Sequence, residues 1–364
     1  MLVAVHTLTK KPKDFILHVG IDANFPLDKA VVEGVTRSRR TVSRHRADLR
    51  EALPEKTTVL SANHFGSSAW TVTARTDTVL EDRTSKVYFL KVRARFLWYS
   101  QAWSIQLKLI QCATDDVGRE MMEGEFNAMT ELYKTIPTLV ARPYAWGKFK
   151  IQEPTTYFFL CDFIDMRTQL PNPARLCSRI AELHRVSVSP TGKFGFHIPT
   201  YHSKYPQSVQ WDDNWASFFK TLLGDALRLD LQTNGPWPEF EKASKRTLGK
   251  VIPRLLGVLQ EDGHEIKPSL ILGDLWEGNI GTAYEDNSIL IFDSGAYYAH
   301  NEMEIGMWRC VRHHISSDRF TRQYFREYPV SEPVEEWDDR NRISCIKMNI
   351  VHSAHHKGDI VRQT

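Results

Sequence analysis

Cysteine is scarce in this 364-residue sequence, and its spacing excludes two common uses of it. The five cysteines are scattered, odd in number and form no Cys-x-x-Cys pair. We therefore expect neither a disulfide framework nor a zinc site, and a reducing cytoplasm is the expected location. No apolar run approaches the roughly 18 residues that a membrane-spanning helix needs. The N-terminus lacks the basic start, apolar core and cleavage site of a secretory signal.

An excess of one charge is also absent from most of the chain. The formal net charge is only +3, and residues 34–50 alone carry six arginines and one aspartate. That run contains no aromatic residue, which a surface that stacks nucleic-acid bases would need. We therefore expect a solvated loop there, and we expect neither nucleic acid nor a membrane as a partner. The 42% hydrophobic and 25% charged content is that of an ordinary globular protein.

The most informative stretch, residues 270–296, combines acidic and amide side chains in a fixed order. Gly273-Asp274 ends a hydrophobic run, Asn279 follows, and a predicted buried strand ends on Asp293. Phosphoryl transfer from ATP needs one carboxylate to accept a proton, and an amide oxygen and a second carboxylate to hold Mg²⁺. We assign Asp274 as the catalytic base and the other two as magnesium ligands. Ordinary turns beside strands would explain either half of the motif alone.

A lysine on a hydrophobic strand is the second feature typical of a kinase. Lys91 ends the apolar run Phe89-Leu90, where it is either an edge-strand charge or the lysine that binds phosphates. The helix predicted over residues 120–132 could supply its partner. Glu125 is our choice for that ion pair, and Glu123 is the alternative.

Two further segments are expected to bind the nucleotide. The turn at Gly66, Ser67 and Ser68 lies between predicted strands and would cover the phosphates with backbone N–H groups. It has only one glycine, so a plain hairpin turn is the alternative. A strongly strand-like segment runs into Asp162 and Phe163, whose backbone groups would contact the adenine at the hinge between two lobes.

Aromatic residues are concentrated in the segment 211–219, which is predicted to begin a helix. Most of these rings are expected in the core, because large apolar side chains gain most from burial. Trp211 and Trp215 could instead line a sugar pocket by ring stacking.

Taken with the motifs above, several peptides give the chain a family resemblance. The sequence resembles the fructosamine-3-kinase and ketosamine-3-kinase (ribulosamine-3-kinase) family, which shares the kinase-like fold of aminoglycoside phosphotransferases. The matching peptides are FLK at 89–91, GEFNAMTEL at 124–132, WDDNWASFF at 211–219, GDLWEGN at 273–279 and IFDSGAYYAHNEMEIGM at 291–307.

The resemblance implies an ATP- and Mg²⁺-dependent kinase with a defined acceptor. Such an enzyme phosphorylates the sugar 3-hydroxyl of a ketosamine, on a glycated protein or a small molecule, and the protein is then deglycated. The resemblance also implies that Trp276 and Asp274 face the sugar. One departure is Leu272, where the family usually has histidine. A small-molecule kinase of the aminoglycoside or choline type, and an inactive kinase-like binding protein, are the alternative hypotheses.

The predicted architecture is α+β with two lobes. A β-rich N-lobe is expected over residues 1–161 and a mainly helical C-lobe over residues 162–364. Segments 34–50 and 92–111 have no evident counterpart in the family and are expected to be insertions. The ends of 92–111 can be encoded by splice-site sequences, which favours a retained intron over a lineage-specific insertion for that segment. Residues 34–50 could have the same origin, and there the two explanations are equally open.

Overall fold

The chain is described here from a computed structural model, which covers residues 52–66, 71–94, 115–149, 156–167 and 169–363. Its first part is a five-stranded antiparallel sheet with one helix, α1 (Asp115–Thr135), inserted between the third and fourth strands. The sheet contains β1 (Thr58–His64), β2 (Val72–Val79), β3 (Ser85–Ala94), β4 (Pro143–Lys148) and β5 (Thr156–Asp162).

Strand β3 is the central strand of this sheet, whose order is β1-β2-β3-β5-β4. Successive side chains of a strand point to opposite faces. Tyr88, Leu90 and Val92 therefore share one face, where they are buried in a small apolar cluster. Lys91 points to the other face, towards α1, which packs against β3, β4 and β5. The strand thus delivers one buried cation to the helix side of the sheet.

Short antiparallel ladders organise the second part of the chain. Strand β10 (Ile280–Ala283) pairs with both β6 (Met166–Arg167) and β11 (Ile289–Ile291). Strand β9 (Ser269–Ile271) pairs with β12 (Tyr297–Ala299). The connections between these ladders are the segments in which the candidate catalytic residues lie. The other described strands are β7 (Tyr201–His202) and β8 (Tyr205–Pro206).

Helices surround these ladders and share one large apolar core with them. The last long helix, α7 (Trp337–His355), packs against α3 (Trp215–Asn234) and against a 3-10 stretch, Asn301–Arg309. No helix among the described residues is long and apolar enough to cross a membrane. The remaining helices are α2 (Pro173–Val186), α4 (Pro238–Arg246), α5 (Ile252–Gly257) and α6 (Asp318–Glu327).

The start of the expected insertion at 92–111 belongs to the sheet. Val92 is 1% exposed and pairs with Val72 and Phe158. Strand β3 therefore continues to Ala94, three residues into that segment, and it is well packed at Val92. Residues 95–111 and 34–50 lie outside the described part of the chain, so their status as insertions stays a prediction, as does the lobe boundary near residue 162.

Candidate active site

The loop that carries Asp274 is shaped by a glycine that no other residue can replace without strain. Gly273 has φ +87°, and a Cβ at this position would lie 2.8 Å from the carbonyl oxygen of Gly295. An L-residue rarely adopts this backbone conformation, and here it would also clash with backbone. The chain can therefore leave β9, turn sharply and present Asp274 beside the loop that follows β11.

Asn279 is held in place by the residue that we assigned as the catalytic base. Its side-chain amide donates to the backbone oxygen of Asp274 at 2.9 Å and to Oδ2 of Asp274 at 3.3 Å. Burial, followed by the nearby Asp293 carboxylate, raises the pKa of Asp274 to about 7. A carboxyl with a pKa near neutral pH accepts a proton more readily than an ordinary aspartate does.

Lys91 makes the predicted ion pair with α1. Its ammonium lies 2.8 Å from Oε2 of Glu125, and both side chains are about one-tenth exposed. The same ammonium contacts Asp293, at the turn after β11. Burial alone would lower the pKa of Lys91, but the two carboxylates outweigh it and raise the pKa. The lysine therefore stays charged where nucleotide phosphates would need a cation.

The side chains assigned as magnesium ligands have the chemistry for that role. Asn279 directs its amide nitrogen to Asp274, which leaves its amide oxygen for a cation. The Asp293 carboxylate is 54% exposed. No cluster of three His, Cys, Asp or Glu side chains in the described residues could hold a metal. An ion here would therefore need phosphate oxygens as further ligands, which is how Mg²⁺ is bound in ATP-dependent enzymes.

Glu304 anchors the catalytic loop and was missed by the sequence analysis. Its fully buried carboxylate accepts hydrogen bonds from the backbone N–H groups of Leu272 and Gly273. Leu272 itself is buried in the core. The loop is thus fixed through its backbone, so leucine at the family's histidine position does not remove this anchor. The peptide IFDSGAYYAHNEMEIGM contains two glutamates, and both are buried. Its spacing does not indicate that Glu304 binds the catalytic loop whereas Glu302 pairs with Arg340.

The sequence matches the profile of a known protein family. The profile described as fructosamine kinase matches residues 102–363, more than half of the chain. The chain belongs to the fructosamine kinase family. The match begins at residue 102, inside the segment 92–111, so the last part of that segment, residues 102–111, belongs to the matched region.

Individual relatives agree with the family profile. The chain is 30% identical to the chloroplastic protein-ribulosamine 3-kinase of Oryza sativa subsp. indica over 61% of each chain. It is 30% identical to that of Arabidopsis thaliana over 61% of this chain and 64% of the relative. The matched region thus spans less than two thirds of these relatives.

A solved structure supports the fold. A protein from Haemophilus somnus 129PT, described as a fructosamine-3-kinase, superposes with a TM-score of 0.59 at 16% identity, covering 90% of this chain and 96% of that one. The predicted α+β, two-lobed kinase-like fold is confirmed.

The expected phosphate-covering turn of this fructosamine kinase family member is described only in part. Gly66 follows β1 with φ +76°, a left-handed conformation that suits glycine at a turn. Ser67 and Ser68 lie outside the described residues. Their role, like the roles of the other assigned site residues, stays a prediction.

The backbone at the expected hinge is partly committed to other partners. The N–H of Asp162 donates to the oxygen of Arg142 at 2.9 Å, and the N–H of Phe163 donates to the oxygen of Val87 at 3.2 Å. These two residues can therefore offer adenine only carbonyl oxygens. Our prediction did not distinguish donors from acceptors, and an adenine ring nitrogen would need its donor from another residue.

The three tryptophans that we assigned to the sugar differ in their surroundings. Trp215 is 1% exposed and packs among Phe194, Phe218 and Phe219. The prediction that it stacks on a sugar is wrong, because the inward face of α3 buries this ring in the core.

The other two tryptophans are less buried. Trp211 packs against Tyr298 at a ring separation of 6.1 Å. The ring of Trp276 packs over Gly278 and lies 5.1 Å from the His313 ring. Only Trp276 belongs to the catalytic loop, so it is the better placed of the two to meet an acceptor bound at Asp274.

Two residues near Asp274, one half-buried and one buried, had no signal in the sequence. Nε2 of His202, on β7, lies 3.6 Å from Oδ1 of Asp274. Lys347, on α7, is 2% exposed, and burial lowers its pKa to about 8 against the pull of Asp274 and Glu304. Neither residue belongs to a recognisable motif, and only the tertiary structure brings them to the catalytic loop.

Proposed function

We propose that this protein transfers the γ-phosphate of ATP to the 3-hydroxyl of ketosamines, with ribulosamine or fructosamine adducts of lysine as acceptors. The observation that carries the proposal is that Asp293 connects the candidate base to the cation. Its carboxylate contacts the Lys91 ammonium. Burial and the charge of Asp293 raise the pKa of Asp274, which accepts from Asn279. A base and a cation on one cleft are what phosphoryl transfer to a hydroxyl requires.

Each residue has a defined task in this proposal. Asp274 accepts the proton of the attacking hydroxyl, and Lys91, oriented by Glu125, neutralises phosphate charge. Asn279 and Asp293 would hold Mg²⁺, which, when bound, neutralises the charge that develops on the transferred phosphate. Glu304 keeps Asp274 at a fixed position through the backbone of its loop. This positioning, together with electrostatics, supplies most of the rate enhancement in phosphoryl transfer.

The acceptor class is supported by the relatives, two of which are protein-ribulosamine 3-kinases. In the C1–C2 enaminol tautomer of the adduct, the phosphate on C3 can leave as inorganic phosphate, and water would then hydrolyse the resulting C1 imine, which frees the lysine amine and a deoxyosone. Glycated proteins and small ketosamines are therefore the proposed partners. We place the reaction in a reducing cytoplasm, where the four described cysteines are expected to remain free thiols.

An aminoglycoside or amino-alcohol acceptor is less well supported. Such acceptors carry several cationic groups or a quaternary amine, which carboxylates would have to bind. The neighbours of Asp274 include instead His202 and the ammonium of Lys347, which would not attract a cationic acceptor. An inactive binding protein would have no need for the complete set of contacts around Asp274 and Lys91.

The test is an acceptor screen with purified protein, ATP and Mg²⁺. ADP release is followed with ribulosyl-lysine, fructosyl-lysine, unmodified lysine, choline and an aminoglycoside, and ³¹P NMR identifies the position of the new phosphate ester. We expect turnover only with the ketosamines and a phosphate on C3. Turnover confined to choline or the aminoglycoside would replace the proposed acceptor, and no turnover with any of them would refute the activity.

A further inference from the structure

His202 faces Asp274, the assigned catalytic base, across a gap that no group in the described part of the chain bridges. Nε2 of His202 lies 3.6 Å from Oδ1 of Asp274, which is beyond the length of a hydrogen bond. Within the described residues, neither ring nitrogen of His202 has a hydrogen-bond partner. The two side chains are 12% and 26% exposed, so both reach the cleft. They can therefore bind two atoms of one ligand at the same time.

The charge state of His202 suits a hydroxyl or carbonyl ligand. Burial, followed by the nearby Lys347 and His355, lowers the pKa of His202 well below its ordinary value. A neutral imidazole has one donor and one acceptor nitrogen. It does not form an ion pair with Asp274, which therefore stays available for the proton of the acceptor.

The hairpin that carries His202 is tied to the catalytic loops. Gln207, directly after β8, donates through its side-chain amide to Thr200 at 3.2 Å and to the oxygen of Gly295 at 3.0 Å. Its amide oxygen lies 3.5 Å from the ammonium of Lys347. These contacts join the hairpin, the loop after Asp293 and α7. A side chain on such a fixed support can select a ligand by geometry.

We propose that His202 determines acceptor specificity by hydrogen-bonding the oxygen adjacent to the hydroxyl that Asp274 deprotonates. The inference rests on the proposed function and narrows it. An acceptor must then carry two neighbouring oxygens, either the C2 carbonyl with the C3 hydroxyl or the C3 and C4 hydroxyls. An amino alcohol with a single hydroxyl would leave His202 without its partner, so its kcat/KM would be lower by the contribution of one hydrogen bond.

The competing explanation is that His202 only packs the hairpin. Its ring lies 6.4 Å from the ring of His355, which in turn contacts Tyr205. A packing role predicts a loss of stability on substitution and an equal effect on every acceptor. A hydrogen bond to one oxygen predicts an effect that disappears when that oxygen is absent.

The test combines variants with trimmed acceptors. The kcat/KM values of wild type, His202→Ala and His202→Gln are measured with a ribulosamine, its 4-deoxy analogue and an analogue with methylene in place of the C2 carbonyl. The control is His355→Ala, since His355 neighbours His202 and has no described contact with Asp274. The KM for ATP is measured in parallel, because a specificity residue on the acceptor side leaves it within about twofold.

We expect wild type to lose about tenfold in kcat/KM when the oxygen bound by His202 is removed, the size of one hydrogen bond near 1.4 kcal/mol. The kcat/KM of His202→Ala should be about tenfold below that of wild type with the parent acceptor. With the analogue that lacks the oxygen bound by His202, the variant and wild type should have the same kcat/KM. His202→Gln, which keeps a donor, should lose less. The analogue that behaves this way shows whether the carbonyl or the 4-hydroxyl is bound.

Several outcomes would overturn the inference. If the variant is active and the kcat/KM loss from His202→Ala multiplies with the loss from each analogue, His202 contacts neither oxygen and has only a packing role. If neither variant folds, the imidazole ¹⁵N shifts of wild-type His202 are recorded with and without ribulosamine, and unchanged shifts would reject the contact. If wild type phosphorylates no ketosamine, the proposed function fails and this inference fails with it.

Discussion

The proposed nucleotide side and the proposed acceptor side of the site differ in how their charged and polar groups are paired. On the nucleotide side, Lys91 is held between Glu125 and Asp293. On the acceptor side, His202 stops 3.6 Å short of Asp274, and Lys347 has an amide oxygen at 3.5 Å. Paired charges fix a cation in advance for a triphosphate, whose chemistry does not vary. In the proposed complex, the acceptor would complete the polar groups that lack close partners, and this would let them discriminate between acceptors.

The largest expected effect separates chemistry from binding at the boundary of the two sides. Asp274→Asn should lower kcat by about 100-fold to 10,000-fold, because it removes the proton acceptor, while nucleotide affinity is unchanged. The measurements are steady-state kinetics and calorimetric titration with a nonhydrolysable ATP analogue. Asp286→Asn, on an exposed turn, is the matched control. A kcat within a few-fold of wild type would remove Asp274 from its assigned role.

The nucleotide side can be broken at its cation. Lys91→Met should lower kcat/KM for ATP by about 10-fold to 100-fold, the loss expected for one charge-assisted hydrogen bond, with little change in the KM for the acceptor. Lys148→Met is the control in the same sheet, since Lys148 lies on β4 and is exposed. Circular dichroism confirms that both variants fold. Equal effects of the two substitutions would contradict a special role for Lys91.

The support of the catalytic loop can be tested at Glu304. Glu304→Gln keeps one acceptor oxygen but replaces the other with an amide that cannot accept from the Leu272 or Gly273 N–H. We expect the free energy of unfolding to fall by about 1–3 kcal/mol, the cost of a buried group left unsatisfied, together with a several-fold lower kcat. Urea denaturation measures the first quantity. Glu335→Gln, at an exposed position, should change neither, and unchanged stability in Glu304→Gln would speak against the anchor.

The smallest expected effect concerns the acceptor side alone. A Cβ on residue 278 would lie 2.3 Å from the Trp276 ring, so Gly278→Ala must displace that ring. If Trp276 meets the sugar, the KM for the acceptor should rise a few-fold while the KM for ATP stays constant. Gly224→Ala is the control, because a Cβ there has nothing within 4 Å. A larger change in the KM for ATP than for the acceptor would move Trp276 to the nucleotide side.

The nucleotide side was largely predictable because its residues follow local rules. Alternation along β3 places Lys91 opposite Leu90, and the helical pattern of α1 leaves Glu125 facing the sheet. The predicted ion pair is present. The free backbone groups of the hinge were harder to predict. The N–H groups of Asp162 and Phe163 already donate to other backbone oxygens, and the sequence of one strand does not identify its hydrogen-bond partners.

Most residues of the proposed acceptor side could not be predicted, because their positions depend on contacts between distant segments rather than on local patterns. Trp215 was assigned to the sugar from its residue type, but the way α3 packs buries it. His202 and Lys347 belong to a two-residue strand and to the last helix, and no periodicity distinguishes them from structural residues. Their position beside Asp274 depends on how distant elements pack.

The sequence by itself determined the family, the kinase-like fold and the order of Asp274, Asn279 and Asp293, because these depend on spacing within one loop and strand. The tertiary structure alone decided that Glu304 holds this loop, that Leu272 packs in the core beside it, and that His202 faces Asp274, the proposed base. Burial and approach between remote segments set these features, since hydrogen bonds and pKa values depend on neighbours in space rather than along the chain.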